Sequence, residues 1–173
     1  MYKTPVSVLV VIHTPDMQVL LLERTDHPGY WQSVTGSQNQ GEKLSQTAVR
    51  EVAEETGLDA ARYRLTDCKI RNEYEIYEEW RWRYAPEVTH NTEHVFALLL
   101  PNAVPVSVAA REHLNFVWLP WREAAEKVFS PSNADAIRTL ALGRKDSRPS
   151  CPGEPISGIL VLYDFDIFSD GTE

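Results

Sequence analysis

Three glutamates crowd one short stretch of the chain: Glu51, Glu54 and Glu55. Residues 43–56 are good helix formers, and Gly57 is suited to the C′ position that ends a helix. Positions i, i+3 and i+4 of a helix share a face, so the three carboxylates are expected to converge. Like charges at that spacing repel by roughly 0.2–0.5 kcal/mol per pair in water, and by more where they are partly buried. A hard divalent cation, Mg²⁺ or Mn²⁺, reverses the sign, because such ions favour carboxylate oxygens. Taken alone, the cluster reads more readily as a solvated acidic face, with Arg50 available to pair with Glu54 at i,i+4. Ala48, Val49, Val52 and Ala53 occupy the neighbouring arc and are expected to pack on a sheet.

The elements that would carry this helix follow from the apolar pattern. Residues 5–12 are rich in β-branched side chains and read as a buried strand. Pro15 and Asp16 mark a turn, and residues 19–22 read as the hairpin partner. A polar loop at 27–30 leads into 31–36, and Gly36 and Gly41 bracket a second loop before the helix. Residues 63–84 look strand-rich, with aromatics throughout. Further strands are expected at 94–100 and 114–119, and short helices at 121–128 and 133–142. Gly143 opens a stretch rich in Pro, Ser, Gly and charge that reads as a linker to 158. Residues 159–168 are apolar and too few to form a domain alone. The expected organisation is one domain over 1–142 and a linker with an apolar tail over 143–173.

The 173 residues suffice for one ordinary domain, and 43% hydrophobic with 24% charged residues is a globular composition. A formal charge of −8 makes nucleic acid and anionic membranes poor partners. A small anionic substrate then needs a local basic pocket, a bound cation, or both. No apolar run spans a bilayer, no secretory signal is read, and Cys68 and Cys151 form no metal-ligand spacing. The expected setting is the cytoplasm, and oligomeric state is left open.

From Gly36 the chain reads Gly, five residues, Glu42, seven residues, then Arg50-Glu51-Val52-Ala53-Glu54-Glu55-Thr56-Gly57-Leu58. This resembles the Nudix box, Gly-x5-Glu-x7-Arg-Glu-U-x-Glu-Glu-x-Gly-U with U apolar, at every fixed position. The resemblance implies an α/β (α+β) fold, the Nudix α/β/α sandwich with a mixed β-sheet, and hydrolysis of a phosphate anhydride. Cations on the glutamate face would neutralise a charged pyrophosphate linkage and bring a bound water toward neutral pKa. Gly36 is expected to allow a tight turn before the helix. Arg50 is expected to orient a carboxylate. Glu42 suits the helix start, where it is read as a dipole partner or a simple cap.

The chain is also similar to the bacterial dihydroneopterin triphosphate pyrophosphohydrolase branch of the Nudix family, also described as dATP pyrophosphohydrolases. The carriers are Tyr2-Lys3, Pro5-Val6-Ser7, the run from Trp31 to Ser37, Arg83-Tyr84-Ala85-Pro86, Val88-Thr89, Asn91-Thr92-Glu93 and Glu112-His113-Leu114. That likeness implies Mg²⁺ held by Glu51, Glu55 and Glu112. Glu54 would be a second metal ligand or the base that activates water. Lys3, Arg24, Thr35, Tyr74, Glu75, Ile76, Tyr77, His113 and Ser130 would contact the substrate, with an aromatic available to stack on a flat heterocycle. The implied reaction releases pyrophosphate from dihydroneopterin triphosphate on the route to folate. A preference for dATP or another nucleoside triphosphate is the competing enzymatic reading. A non-catalytic nucleotide sensor is a third, and the intact set of box carboxylates argues against it.

Overall fold

The computed structural model describes residues 2–143. The expected linker and the apolar segment 159–168 lie outside the described residues, as does Cys151. Seven strands form one mixed sheet: β1 (Val6–His13), β2 (Gln18–Arg24), β3 (Trp31–Gln32), β4 (Val34–Ser37), β5 (Arg64–Glu75), β6 (His90–Leu99) and β7 (His113–Pro120). Helices α1 (Leu44–Thr56), α2 (Glu78–Arg81), α3 (Trp121–Lys127) and α4 (Pro131–Gly143) complete the described residues, with a 3-10 turn at Ala60–Arg62.

Strand β1 is buried on both faces, which is why it reads as a nearly continuous apolar run, interrupted by Ser7. Its alternate side chains feed two cores. Val8, Val10 and Ile12 join Ala48 and Val52 of α1 on one face. Leu9 and Val11 join Ala124, Ala136 and Ile137 of α3 and α4 on the other. The two-residue period of a strand thus places helices on both sides of the sheet. β1 runs parallel to β6 along its whole length and antiparallel to β4.

β2 departs from a simple hairpin partner. It pairs with β1 only at His13↔Val19, then splays away to pair with β7 and, at its far end, with β3. The segment from Trp31 to Ser37 spans the resulting gap, pairing first with β2 and, after Ser33, with β1. Asn133 of α4 fastens that crossing by accepting from the Ser33 amide at 2.8 Å and donating to the Ser33 hydroxyl at 2.9 Å.

Three local expectations are corrected. The strand-rich stretch 63–84 is a strand only to Glu75; residues 78–81 form the short helix α2 inside the reversal between antiparallel β5 and β6. Ala53 does not pack on the sheet but is exposed, because the buried stripe of α1 runs through Thr47, Ala48, Glu51, Val52, Glu55 and Thr56. Gly36 lies within β4 rather than in a turn. Gly57 does end α1 with a left-handed φ of 71°, its amide donating to Ala53 O at 3.0 Å.

Candidate active site

Gly36 is needed for space, not for a turn. A Cβ built on it would stand 1.8 Å from Cδ of Glu51. The bare strand lets the last turns of α1 lower a carboxylate onto the sheet. Burial pushes the Glu51 carboxyl up to about 7, against the pull of Arg50 and with the help of the Glu55 and Glu54 charges. Glu55 is 2% exposed and is also raised, first by burial, with His113 opposing and Glu112 adding to the shift. Neither carboxylate is a solvated surface charge.

Arg50 holds the cluster in shape. Its Nε and Nη2 donate to the two oxygens of Glu42 at 2.9 and 3.0 Å, a fork on one carboxylate. Its Nη1 reaches Glu51 at 2.7 Å and Glu54 at 3.1 Å, and Nη2 also donates to Ser37 O at 3.0 Å. Glu42 is therefore the anchor of Arg50 rather than a helix cap; the N-cap position belongs to Lys43. The Arg50 hydrogen bond, followed by those from Asn39 and Thr47, takes the Glu42 carboxyl down to about 2.

The connection from β6 to β7 brings in the ligand from outside the box. Ser107 and Ala109 donate from their amides to the carbonyls of Thr56 and Glu55 at the end of α1, at 3.0 and 3.3 Å. Trp118 Nε1 pins the same connection through Val104 O at 2.8 Å. A turn closed by Glu112 N to Ala109 O at 2.8 Å then sets Glu112 and His113 beside Glu55. Glu55, Glu112 and His113 each offer one ligand atom, all within 4.8 Å of one another. His113 Nε2 lies 3.1 Å from Glu55 Oε2 without the alignment of a hydrogen bond, and both atoms lack such a partner among the described residues.

These groups open on a large cleft of about 2770 Å³. Thr35, Gly36, Glu55, Glu112 and His113 line one end. Lys3, Arg24, Tyr74, Glu75, Ile76, Tyr77 and Ser130 line the rest, so every substrate contact expected from the sequence faces one space. Glu51 and Glu54 stand beside it on the Arg50 side, and Glu54 is 58% exposed. Arg24 is not a loose surface cation. Asp26 grips its Nε and Nη2 at 2.8 and 2.6 Å, Gln32 takes Nη1 at 2.9 Å, and the guanidinium lies over Trp80 and Phe129. Glu75 pairs with Arg81, Ile76 is buried, and Ser130 meets the Ser132 hydroxyl at 2.9 Å.

Residues 3–140 match the NUDIX domain family. The chain belongs to that family. It is 46% identical over 144 residues to the dihydroneopterin triphosphate diphosphatase of Escherichia coli K12, an alignment covering 82% of this chain and 95% of that one. The enzyme of the same name from Haemophilus influenzae is 43% identical over 141 residues, covering 79% and 87%. The fold superposes on the solved E. coli dihydroneopterin triphosphate pyrophosphohydrolase with a TM-score of 0.76 at 45% identity, across 83% of this chain and 99% of that one. A Nudix hydrolase structure from Listeria monocytogenes gives a TM-score of 0.69 at 25% identity, covering 83% and 97%.

Nudix hydrolases generally use divalent metals, and the donor set here suits one. Buried carboxylates with raised pKa values, an orphaned Glu55 oxygen and a nearby imidazole are costly without a cation and favourable with one. Sequence reasoning assigned no role to Asn91 and Glu93, and none to Trp80 or Phe129. The signal for the first two was present: they interrupt, at the inward parity, a strand that continues as buried Val95 and Ala97. No helix among the described residues is long and apolar enough to cross a membrane.

Proposed function

We propose that the chain is a Mg²⁺-dependent Nudix pyrophosphohydrolase that cleaves dihydroneopterin triphosphate to dihydroneopterin monophosphate and pyrophosphate. The observation that carries this reading is the meeting of buried Glu55 with Glu112 and His113 at one end of a cleft. Resemblance to named enzymes over most of the chain supports the substrate. Glu51, Glu55 and Glu112 would supply the oxygens that hold the cation, with Mn²⁺ as a substitute. The bound ion would neutralise phosphate charge and lower the pKa of water.

The chain's own residues do the remaining work. Arg50 keeps Glu51 and Glu54 in place. Glu54, mostly exposed and tied by one hydrogen bond at 3.1 Å, takes the proton of the attacking water. Lys3 and Arg24 offer positive charge to the triphosphate along the cleft. Thr35 and His113 border the reacting end, and Tyr74 to Tyr77 with Ser130 border the part left for the heterocycle. The proposed setting is the cytoplasm, and the proposed Nudix domain is residues 1–142, followed by a linker and apolar tail over 143–173.

The test is a panel of triphosphates incubated with the full chain and Mg²⁺, scored for pyrophosphate against orthophosphate. Pyrophosphate release from dihydroneopterin triphosphate in preference to dATP is expected. Much faster turnover of dATP would remove the folate assignment, and orthophosphate as the first product would remove the reaction. Glu54→Gln should lower kcat and leave cation binding intact; loss of cation binding would make Glu54 a ligand instead.

A further inference from the structure

The cleft face of the sheet carries a polar row that catalysis at the α1 end does not use. Strand register sets Ser37, Ser7, Glu93 and Asn72 side by side across β4, β1, β6 and β5. The adjoining register pair is Asn91 and Tyr74. The same face of β1 and β6 continues into apolar core through Leu9, Val11 and Val95. The polar row is thus the open extension of a packed sheet face. Each of the six lines the cleft.

Two groups in this row are out of balance. Glu93 is 5% exposed, and its carboxylate accepts only from neutral donors, Asn72 Nδ2 at 3.2 Å and the Ser132 hydroxyl. No ion pair reaches it among the described residues. Asn91 is 2% exposed and spends its Nδ2 on Ser7 Oγ at 2.7 Å and Tyr74 OH at 3.0 Å. Its buried Oδ1 has no partner among the described residues. A buried acceptor without a donor costs free energy, and a site that pairs such an acceptor with a buried carboxylate held only by neutral donors is complementary to a ligand rich in N–H groups.

We propose that Glu93 determines specificity by pairing with the adjacent N–H donors of a 2-amino-4-oxopyrimidine edge, with Asn91 Oδ1 as a supporting acceptor. The inference rests on the function proposed above and deepens it. A pterin presents its ring N3–H and 2-amino group side by side, and one carboxylate can accept from both at once. Adenine presents an amino group beside an acceptor nitrogen, which leaves one carboxylate oxygen facing a lone pair. Burial also pushes the Glu93 carboxyl above its ordinary range, the mark of a charge that its present surroundings do not compensate.

The experiment compares steady-state kinetics of wild type, Glu93→Gln and Glu93→Asp with Mg²⁺, on dihydroneopterin triphosphate and on dATP. Glutamine keeps the shape but turns one acceptor into a donor, which suits adenine and opposes the pterin. Expected is a rise in KM for the pterin substrate of roughly 10- to 100-fold, the scale of losing one bidentate pairing, with KM for dATP unchanged or lower. Aspartate keeps the charge and shortens the reach, so it should raise the pterin KM alone. It carries the test if the glutamine variant does not fold. Equal changes for both substrates, or none, overturn the role of Glu93 and leave the reaction standing. Failure of wild type to turn over dihydroneopterin triphosphate overturns the reaction and this inference together, and that outcome is visible without any variant.

Discussion

The cleft is lined by two buried glutamates, and the two differ in their neighbours. Glu55 faces Glu112, the Glu51 charge and an imbalanced His113. Glu93 faces Asn72 and Ser132. Burial raises both carboxyls. The first site gathers negative charge and would be completed by a cation; the second sets a carboxylate among neutral groups and would be completed by N–H donors. The identity of a buried side chain therefore says little about its role until the groups around it are known.

The largest effect should come from the charged end. Glu55→Gln is expected to lower Mg²⁺-dependent turnover by more than about 100-fold, beyond the range typical of residues one step removed from a metal. The same variant should melt no lower than wild type at neutral pH in EDTA, because a buried carboxylate with a raised pKa opposes folding there. Retained activity, measured by pyrophosphate release, would erase the distinction between the two ends.

Gly36→Ala should cost nearly as much, roughly 10- to 100-fold in kcat/KM. The added methyl would displace the Glu51 carboxylate, whose Cδ stands 1.8 Å from it. A flexible side chain gives way more cheaply than backbone, so thermal melting should move far less than activity. Arg50→Lys should cost about 10-fold, because a point charge cannot fork onto Glu42 while also holding Glu51. A loss of stability without a loss of activity in either variant would make the clamp merely structural.

The acidic end was readable in the sequence and the neutral end was not, for physical reasons. Helical periodicity is local, so Glu51, Glu54 and Glu55 announce a shared face within two turns. The two-face burial of β1 is written in the apolar run from Val8 to Ile12. Glu112 is legible only through family likeness, because its place beside Glu55 depends on the β6–β7 connection docking on the end of α1. Gly36 reads as a turn residue in the sequence because the closeness of Glu51 to β4 is a tertiary fact. The polar row of Ser7, Glu93 and Asn72 depends on strand order and register across three strands distant in sequence. Asn91 and Glu93 carried only a parity signal, two polar residues in line with Val95 and Ala97.

The smallest effect concerns stability at the neutral end. Glu93 holds its proton to higher pH in the folded chain than in the unfolded one, where carboxyls titrate near 4.3. The folded state then binds more protons above that pH, so wild-type stability falls as pH rises through the interval between the two values. Glu93→Gln lacks this term. In EDTA its melting temperature should match wild type near pH 4 and exceed it by ~2–4 °C at neutral pH. A difference that does not vary with pH would show that Glu93 is compensated in the folded chain.

The division between the ends is tested most directly by Mn²⁺ titration of the full chain, followed by electron paramagnetic resonance, for wild type, Glu55→Gln and Glu93→Gln. Wild type and Glu93→Gln should bind the ion alike, and Glu55→Gln should lose binding. Equal binding by wild type and Glu55→Gln, or loss in Glu93→Gln, would contradict the assignment of the cation to the α1 end of the cleft.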